Sequence, residues 1–236
     1  MEIKAIACDV DGTLTGHSHW VSLDAIQVIR SLEADGLPVI LVTSRDYETA
    51  GWLSVYLGAC GIVVAEDGTL FGDFRSDEPP VLLGDCAKIK HSLTVLCEVL
   101  GDQMNVWMWP GRICSAVLQL ANGTSVDQGN AILAERGVLA RLVDFGPVCV
   151  LNDVSVNKGT GLQEAAKMLD IQPENIVAIG DNFNDIDMFA VAGYSIAVGN
   201  APQAVKDQVD YACKACFGEG FCEGVEHALA CFYPRR

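Results

Sequence analysis

Short apolar runs separated by helical stripes constrain this chain more than any other feature. Residues 3–8, Val39–Val42 and Ile62–Ala65 are each only a few residues long and rich in Val, Ile and Ala. Runs of that length, apolar on both sides of the alternation, mark strands buried on both faces. Between the first two, Ser22 has the chemistry of an N-cap, Ile26, Ile29 and Leu32 follow at helical spacing, and Gly36 stops the helix. Between the second and third, Asp46 can cap a helix carrying Ala50, Leu53 and Leu57, ended by Gly58. Pro38 is tolerable where it stands, at the start of a strand. This strand–helix–strand–helix–strand order predicts a parallel sheet with right-handed crossovers.

The rhythm breaks after Pro79-Pro80. Cys86, Ile89, Leu93, Leu96, Cys97 and Leu100 stripe one helix face, and strand-like runs at 104–109 and 113–120 flank the turn Pro110-Gly111. A second helix near 126–136 leads into runs at 139–144 and 148–151. That α-β-β-α-β-β order suits a helix pair on an antiparallel sheet. The parallel rhythm then resumes with helix 158–169, strand 176–179, helix 185–192, strand 195–198 and a final helix near 224–232. The expected fold class is α/β: a Rossmann-like parallel-sheet core of residues 1–81 and 154–236, with a small α+β cap inserted at 82–153.

Composition narrows the partners. The 236 residues, half of them apolar, suffice for a core domain plus a smaller one. No apolar stretch approaches the ~20 residues that span a bilayer. The N-terminal run is too short, and with Glu2 too acidic, for a signal-peptide core. A cytoplasmic location, no membrane partner, and a monomer or homodimer are expected. The formal charge of −16 argues against nucleic acid, because acidic surfaces repel phosphate backbones. An anionic ligand would need a local cation. Most of the ten cysteines, among them Cys8, Cys60, Cys97 and Cys149, sit in apolar elements, where a thiol behaves as a small hydrophobe. With no secretion signal, free thiols are expected rather than disulfides. In the tail, Cys213-Lys214-Ala215-Cys216 is followed by Cys222 and Cys231, without the second tidy pair of a structural zinc site, so these too are read as unmetallated.

The chemistry gathers at strand ends. Asp9-Val10-Asp11-Gly12-Thr13-Leu14-Thr15 follows the first apolar run, and in open α/β sheets ligands bind at the carboxyl ends of strands. Gly180-Asp181-Asn182-Phe183-Asn184-Asp185 follows another such run and adds oxygen donors of the hard kind that Mg²⁺ prefers. Thr43-Ser44-Arg45 ends the second strand and offers hydroxyls and amides to an anion near a helix start. Lys158 opens a helix with a compact positive charge. Taken singly, each has a structural alternative as a cap, a turn residue or a solvated lysine. Four of them at strand and helix ends, in this order, form a coherent phosphoryl-transfer set.

These four motifs resemble the haloacid dehalogenase superfamily of phosphotransferases, and the resemblance spans almost the whole chain. The small cap looks like that of the Cof-like subgroup, and the overall length resembles archaeal phosphoglycolate phosphatases. The resemblance implies that Asp9 attacks phosphorus to give an aspartyl-phosphate, and that Asp11 protonates the leaving alkoxide and then activates water. It implies Mg²⁺ at Asp9, the Asp11 backbone carbonyl and Asp181, with Asp185 supporting its waters or Lys158. Thr43, Ser44, Arg45 and Lys158 would hold the phosphoryl group and the substrate. Dehalogenating relatives lack the second aspartate, because a halide needs no proton, so Asp11 favours ester cleavage.

A small phosphorylated metabolite is the expected ligand. The limited cap and the extra cations Arg45 and Arg112 favour a phosphorylated acid, 2-phosphoglycolate first. Arg45 directly after Thr43-Ser44 is also reminiscent of sugar-phosphate phosphatases, so those and phosphomutases stay open. Trp107 and Trp109 in the cap either meet substrate or pack the cap. Glu66-Asp67-Gly68 is read as a turn into a hairpin, without a catalytic part. A non-catalytic binding protein on the same scaffold is the alternative from another class, and the intact acidic set argues against it.

Overall fold

The computed structural model describes residues 2–107 and 109–232. The chain forms two compact units, Met1–Val81 with Asn157–Arg236, and Leu82–Val156. The large unit opens with β1 (Ala5–Cys8), α1 (Leu23–Ala34), β2 (Val39–Val42), α2 (Tyr47–Leu57), β3 (Ile62–Ala65) and β4 (Leu70–Asp73), and the two-residue β5 (Val81–Leu82) ends this part. The small unit contains α3 (Cys86–Leu100), β6 (Met104–Trp107), β7 (Ala116–Leu120), α4 (Val126–Glu135), β8 (Ala140–Asp144) and β9 (Cys149–Asp153). The large unit resumes with α5 (Lys158–Met168), β10 (Ile176–Gly180), α6 (Ile186–Val191), β11 (Tyr194–Ala197), α7 (Gln203–Lys206), β12 (Tyr211–Ala212) and α8 (Phe217–Phe232).

The large sheet has the order β12-β11-β10-β1-β2-β3-β4-β5. Pairing is parallel from β12 across to β3, and β4 returns antiparallel from β3 as the expected hairpin. Every residue of β1, β2, β3 and β10 is buried, as two-faced burial demands. On one face Ile6, Cys8, Leu41, Val63, Val177 and Ile179 pack with Ile29 of α1, Leu57 of α2 and Phe221 of α8. The caps act as the sequence suggests. Ser22 Oγ accepts from the Ala25 amide at 3.1 Å, Asp46 Oδ1 from the Thr49 amide at 2.9 Å, and Gly58 ends α2 in the left-handed conformation.

Register decides where the chemistry lies. Cys8 pairs with Ile179 on one side and with Leu41 on the other. The residues just past these pairs, Asp9, Gly180 and Val42, therefore reach one edge of the sheet together. α8 starts seven residues earlier than its apolar stripe suggests, because Gly218 and Gly220 weaken the helical signal there. Tertiary packing favours them. A Cβ on Gly218 would meet Ser22 Oγ at 2.7 Å, and one on Gly220 would meet the Ala215 carbonyl oxygen at 2.4 Å.

The small unit is a four-stranded antiparallel sheet, order β6-β7-β9-β8, with α3 and α4 over one face. Leu96, Leu118, Leu133, Leu142 and Leu151 form its core. β6 ends at Trp107, two residues before the expected end of that run at Trp109. Met108 lies outside the described residues, and Trp109 already leads into the Pro110-Gly111 turn. Trp107 and Trp109 are 46% and 52% exposed, so neither packs the core of this unit. Arg112 Nη1 donates to Ser115 Oγ at 2.7 Å.

The cysteines correct one expectation. Cys86, at the start of α3, is disulfide-bonded to Cys114, just ahead of β7. The two are 28 residues apart in sequence, a separation that carries no pairing signal, and only the fold brings their Cα atoms within 4.6 Å. Cys213, Cys216, Cys222 and Cys231 are free thiols.

In the small unit the buried Asp153 pairs with the partly exposed Lys88. Lys88 Nζ lies 2.6 Å from Asp153 Oδ1, and the same carboxylate accepts from the Asp85 amide and from the Ser155 amide and hydroxyl. Burial alone would raise the Asp153 carboxyl. Lys88 and the Ser155 and Asp85 donors outweigh it and bring it down to about 2. An unfolded aspartate titrates near about 3.9. The stabilisation is thus complete above that value and lost as pH falls towards 2. Asp153→Asn should cost ~1–3 kcal/mol at neutral pH. In denaturant unfolding followed from pH 6 to pH 2, its deficit relative to wild type should shrink with acidification, and a constant deficit would contradict the assignment.

Candidate active site

The edge defined by β1, β2 and β10 meets the start of α5. The Asp9 amide donates to the Ile179 carbonyl at 2.9 Å, so Asp9 extends the β1–β10 ladder by one residue. Asn157 caps α5 in a reciprocal capping box with Thr160. That cap fixes the helix start from which Lys158 projects.

Lys158 is the hub. Its Nζ lies 2.6 Å from Asp9 Oδ1 and 2.6 Å from Asp185 Oδ1, and its side chain is 1% exposed. Burial opposes the ammonium charge, but Asp185 and then Asp9 outweigh burial and hold the pKa above its ordinary value. Asp185 is fully engaged. Its Oδ1 takes Lys158, and its Oδ2 accepts the Asp181 and Asn182 amides at 2.9 and 3.0 Å.

Asp9, Asp181 and Asp185 each bring a carboxylate oxygen into a group spanning no more than 4.8 Å. Burial pushes the Asp9 carboxyl up, Lys158 opposes this, and Asp185 and Asp181 add to it. Asp181 is pushed up to about 6 by burial and then by Asp185. Three carboxylates against one ammonium leave the cluster short of positive charge. Its donors are the hard oxygens that suit a small divalent cation, and the residues present therefore fit Mg²⁺.

The loop that follows β1 is held closely. Gly12 has φ +91°, and a Cβ there would stand 2.4 Å from Asp181 Oδ2, so both conformation and space require glycine. Thr13 Oγ1 donates to Asp181 Oδ1 at 3.2 Å. Asn200 Nδ2 donates to the Gly12 carbonyl at 2.9 Å, and Asn200 Oδ1 accepts from the Phe217 amide at 2.8 Å. Sequence reasoning passed over Thr13 and Asn200. Asn200 had a signal available, since it lies just past the apolar run 195–198.

The remaining sequence-selected residues have more specific partners than expected. Arg45 is not turned to open solvent. Its Nε and Nη2 donate to Asp11 Oδ2 and Oδ1, both at 2.6 Å, in a forked pair. Burial would raise the Asp11 carboxyl, but the Arg45 hydrogen bonds and charge win and hold it below its ordinary value. Thr43 is buried, and its Oγ1 accepts the Arg45 amide at 3.2 Å, which bends the loop rather than facing outward. Ser44 Oγ donates to Asp67 Oδ1 at 2.6 Å, and Asn184 Nδ2 donates to both Ser44 Oγ and Asp67 Oδ1 at 3.1 Å. Asp67 thus joins the site, where the sequence suggested a plain turn.

Residues 6–80 and 116–220 match the haloacid dehalogenase-like hydrolase family. The chain belongs to that family. It is a phosphatase, a hydrolase acting on phosphoric monoesters. A phosphoglycolate phosphatase from Methanothermobacter thermautotrophicus is 33% identical over 231 residues, covering 96% of this chain and 99% of the relative. Another from Methanothrix thermoacetophila is 33% identical over 232 residues, covering 97% and 98%. Among solved structures, a Thermoplasma acidophilum protein superposes with a TM-score of 0.83 at 24% identity, covering 96% of this chain and 98% of its own. A sugar phosphatase of HAD subclass IIB superposes at 0.78 with 17% identity, covering 95% and 98%. At those identities the superpositions speak for the fold. No helix among the described residues is long and apolar enough to cross a membrane.

Removing the hub should expose the electrostatics. Lys158→Ala leaves Asp9 and Asp185 facing each other without a buried counter-charge, and is expected to destabilise the protein by about 3 kcal/mol at pH 7. The Asp9 carboxyl, already pushed up by burial and now without Lys158 to oppose it, takes up a proton as pH falls, so the deficit should narrow towards pH 5. Chemical unfolding of wild type and variant at both pH values checks this, and a deficit that widens with acid would count against it.

Proposed function

We propose that the protein is a cytoplasmic, Mg²⁺-dependent phosphatase that hydrolyses a small phosphomonoester, 2-phosphoglycolate, through an aspartyl-phosphate on Asp9. The observation that carries this reading is Lys158 buried between Asp9 and Asp185, with Asp181 beside them, at the carboxyl edge of the parallel sheet. That arrangement keeps one Asp9 oxygen paired with Lys158, the one ammonium that a transferring phosphoryl group could share with it.

The steps follow from the residues. Asp9 attacks phosphorus, an Asp9 Oδ–P bond forms, and the P–O bond to the leaving alkoxide breaks. Asp11 gives its proton to that oxygen, then takes one from the water that attacks the phospho-aspartate. The Oδ–P bond breaks, and phosphate and free Asp9 are released. Lys158 neutralises charge on Asp9 and on the transferring group throughout. Ser44 and its neighbouring amides hold phosphoryl oxygens. Asp9 and Asp181 would ligate Mg²⁺ with the Asp11 carbonyl, and Asp185, its oxygens already engaged, would orient Asp181 and Lys158. The cation would neutralise the phosphoryl oxygens and relieve the crowding of carboxylates.

Two findings favour the carboxylated substrate. The two curated relatives described above, which match nearly the whole chain, are named phosphoglycolate phosphatases. Arg45 already grips a carboxylate, that of Asp11, in a forked pair. A substrate carboxylate that exchanges for Asp11 would bind by the same geometry and free the Asp11 carboxyl for proton transfer.

Asp9→Asn, which preserves shape but removes the attacking charge, should lower turnover by at least ~10³-fold while the protein stays folded. Chelation should abolish phosphate release and Mg²⁺ restore it, whereas Ca²⁺ should substitute poorly, because it favours looser and higher coordination. Near-normal phosphate release from folded Asp9→Asn, or from a metal-free preparation, would sink the mechanism. For the substrate, kcat/KM on 2-phosphoglycolate should exceed that on hexose and glycosyl phosphates, and Arg45→Ala should erase most of the advantage. A hexose phosphate preferred by tenfold, ~1.4 kcal/mol in transition-state binding, would replace glycolate with a sugar.

A further inference from the structure

The turn after β3 has an unusual backbone. Glu66 and Asp67 lie at φ +49° and +56°, two successive non-glycine residues in the left-handed region, and Gly68 follows at +93°. Such a conformation is strained for a residue with a Cβ and persists only where its surroundings over-determine it. Here the surroundings are the phosphoryl-binding loop. The Glu66 amide donates to the Arg45 carbonyl at 2.9 Å and the Asp67 amide to the Thr43 carbonyl at 3.1 Å, one on each side of Ser44. The buried Asp67 carboxylate then takes the Ser44 hydroxyl at 2.6 Å, and Asn184, from the loop that carries Asp181 and Asp185, closes the triangle at 3.1 Å to each.

The same turn presses on the start of α5. A Cβ on Gly68 would fall 1.9 Å from the Asn157 carbonyl oxygen and 3.0 Å from the Lys158 amide. Asp67 also lies close enough to Lys158 to help hold its charge. One short turn therefore touches three of the four motif segments: the loop after β2, the loop after β10 and the helix start that bears Lys158. A surface turn whose only duty was to reverse the chain into β4 would need neither the strained backbone nor a buried carboxylate.

We infer that Asp67 is a positioning residue for phosphoryl binding, one that sets the Ser44 rotamer and the path of residues 43–45 against Lys158. It acts through Ser44 and does not itself touch the substrate. The inference rests on the reading of Ser44 as a phosphoryl ligand given above. Asp67 is held to Ser44 by a short, charge-assisted hydrogen bond, so removing the carboxylate releases the hydroxyl from that bond and weakens the hold on the loop.

The test is a double-mutant cycle on the full chain with Mg²⁺, using a chromogenic phosphate ester as substrate and inorganic phosphate as competitive inhibitor. Asp67→Ala should lower kcat/KM at least tenfold, mostly through KM, and raise the inhibition constant for inorganic phosphate in parallel. In the Ser44→Ala background the same change should cost less than threefold. Asp67→Asn keeps an acceptor oxygen in place and should recover to within about threefold of wild type. Asp67→Gly removes the carboxylate while relaxing the left-handed backbone, so it keeps the cycle readable even if Asp67→Ala fails to fold, and it should show the same functional loss. A role in folding alone would be rescued by glycine and would leave KM and the phosphate constant where they were. That result, or equal losses in both backgrounds, would overturn the inference. Ser44→Ala that raises the phosphate constant while Asp67→Gly leaves it unchanged defeats this inference alone. Ser44→Ala without effect on that constant defeats the reading of Ser44 and this inference with it.

Discussion

Burying an ammonium group is costly unless its charge is met at short range, and Lys158 meets that condition twice. The consequence runs through the large unit. Asp9 can sit buried at the end of β1 because Lys158 faces it, and Asp185 can sit buried because its other oxygen takes two backbone amides of its own loop. Those two amides in turn set the path of Asp181, whose carboxylate Thr13 and Asn200 hold from the other side. Each group is in place because the others are. The network leaves an excess of negative charge on one side only, where the carboxyls of Asp9 and Asp181 are driven upward. The oxygen donors of such a site suit a cation.

The sheet makes this affordable in geometry. Parallel pairing of β1 with β10 and β2, in the observed register, brings Asp9, Thr43 and Asp181 to one edge without any of them lying inside a strand. Strand interiors carry the apolar burial that stabilises the unit, and the polar residues begin where the ladders stop. The site loops can thus be strained or crowded, as at Gly12 and at Glu66-Asp67, while the frame beneath them stays regular.

Arg45 and Asp67 show how far side-chain partners depart from what residue types alone suggest. Arg45 reads as a free cation for an anionic ligand, yet it holds Asp11 in a forked pair. Glu66-Asp67-Gly68 reads as a turn, and it is one, but the turn faces inward and anchors Ser44. Neither partnership has a sequence pattern. Asp11 and Arg45 are 34 residues apart, and Ser44 and Asp67 are 23 apart. The Cys86–Cys114 bond belongs with them, a pairing created by the packing of α3 beside the approach to β7.

What the sequence determined by itself was the frame and the inventory. The apolar runs specified buried strands, Ser22, Asp46 and Gly58 marked helix ends through local hydrogen bonding and backbone preference, and the acidic motifs announced themselves at strand ends. These are local effects, written within a few residues of where they act. The tertiary structure alone decided which charges neutralise one another, which carboxyl groups are driven up or down, that α8 extends through Gly218 and Gly220, and that Asp67 and Asn200 belong to the site. Those outcomes depend on distances and burial between segments far apart in the chain, where Coulomb energy and desolvation change steeply over a few ångströms and sequence spacing carries no information.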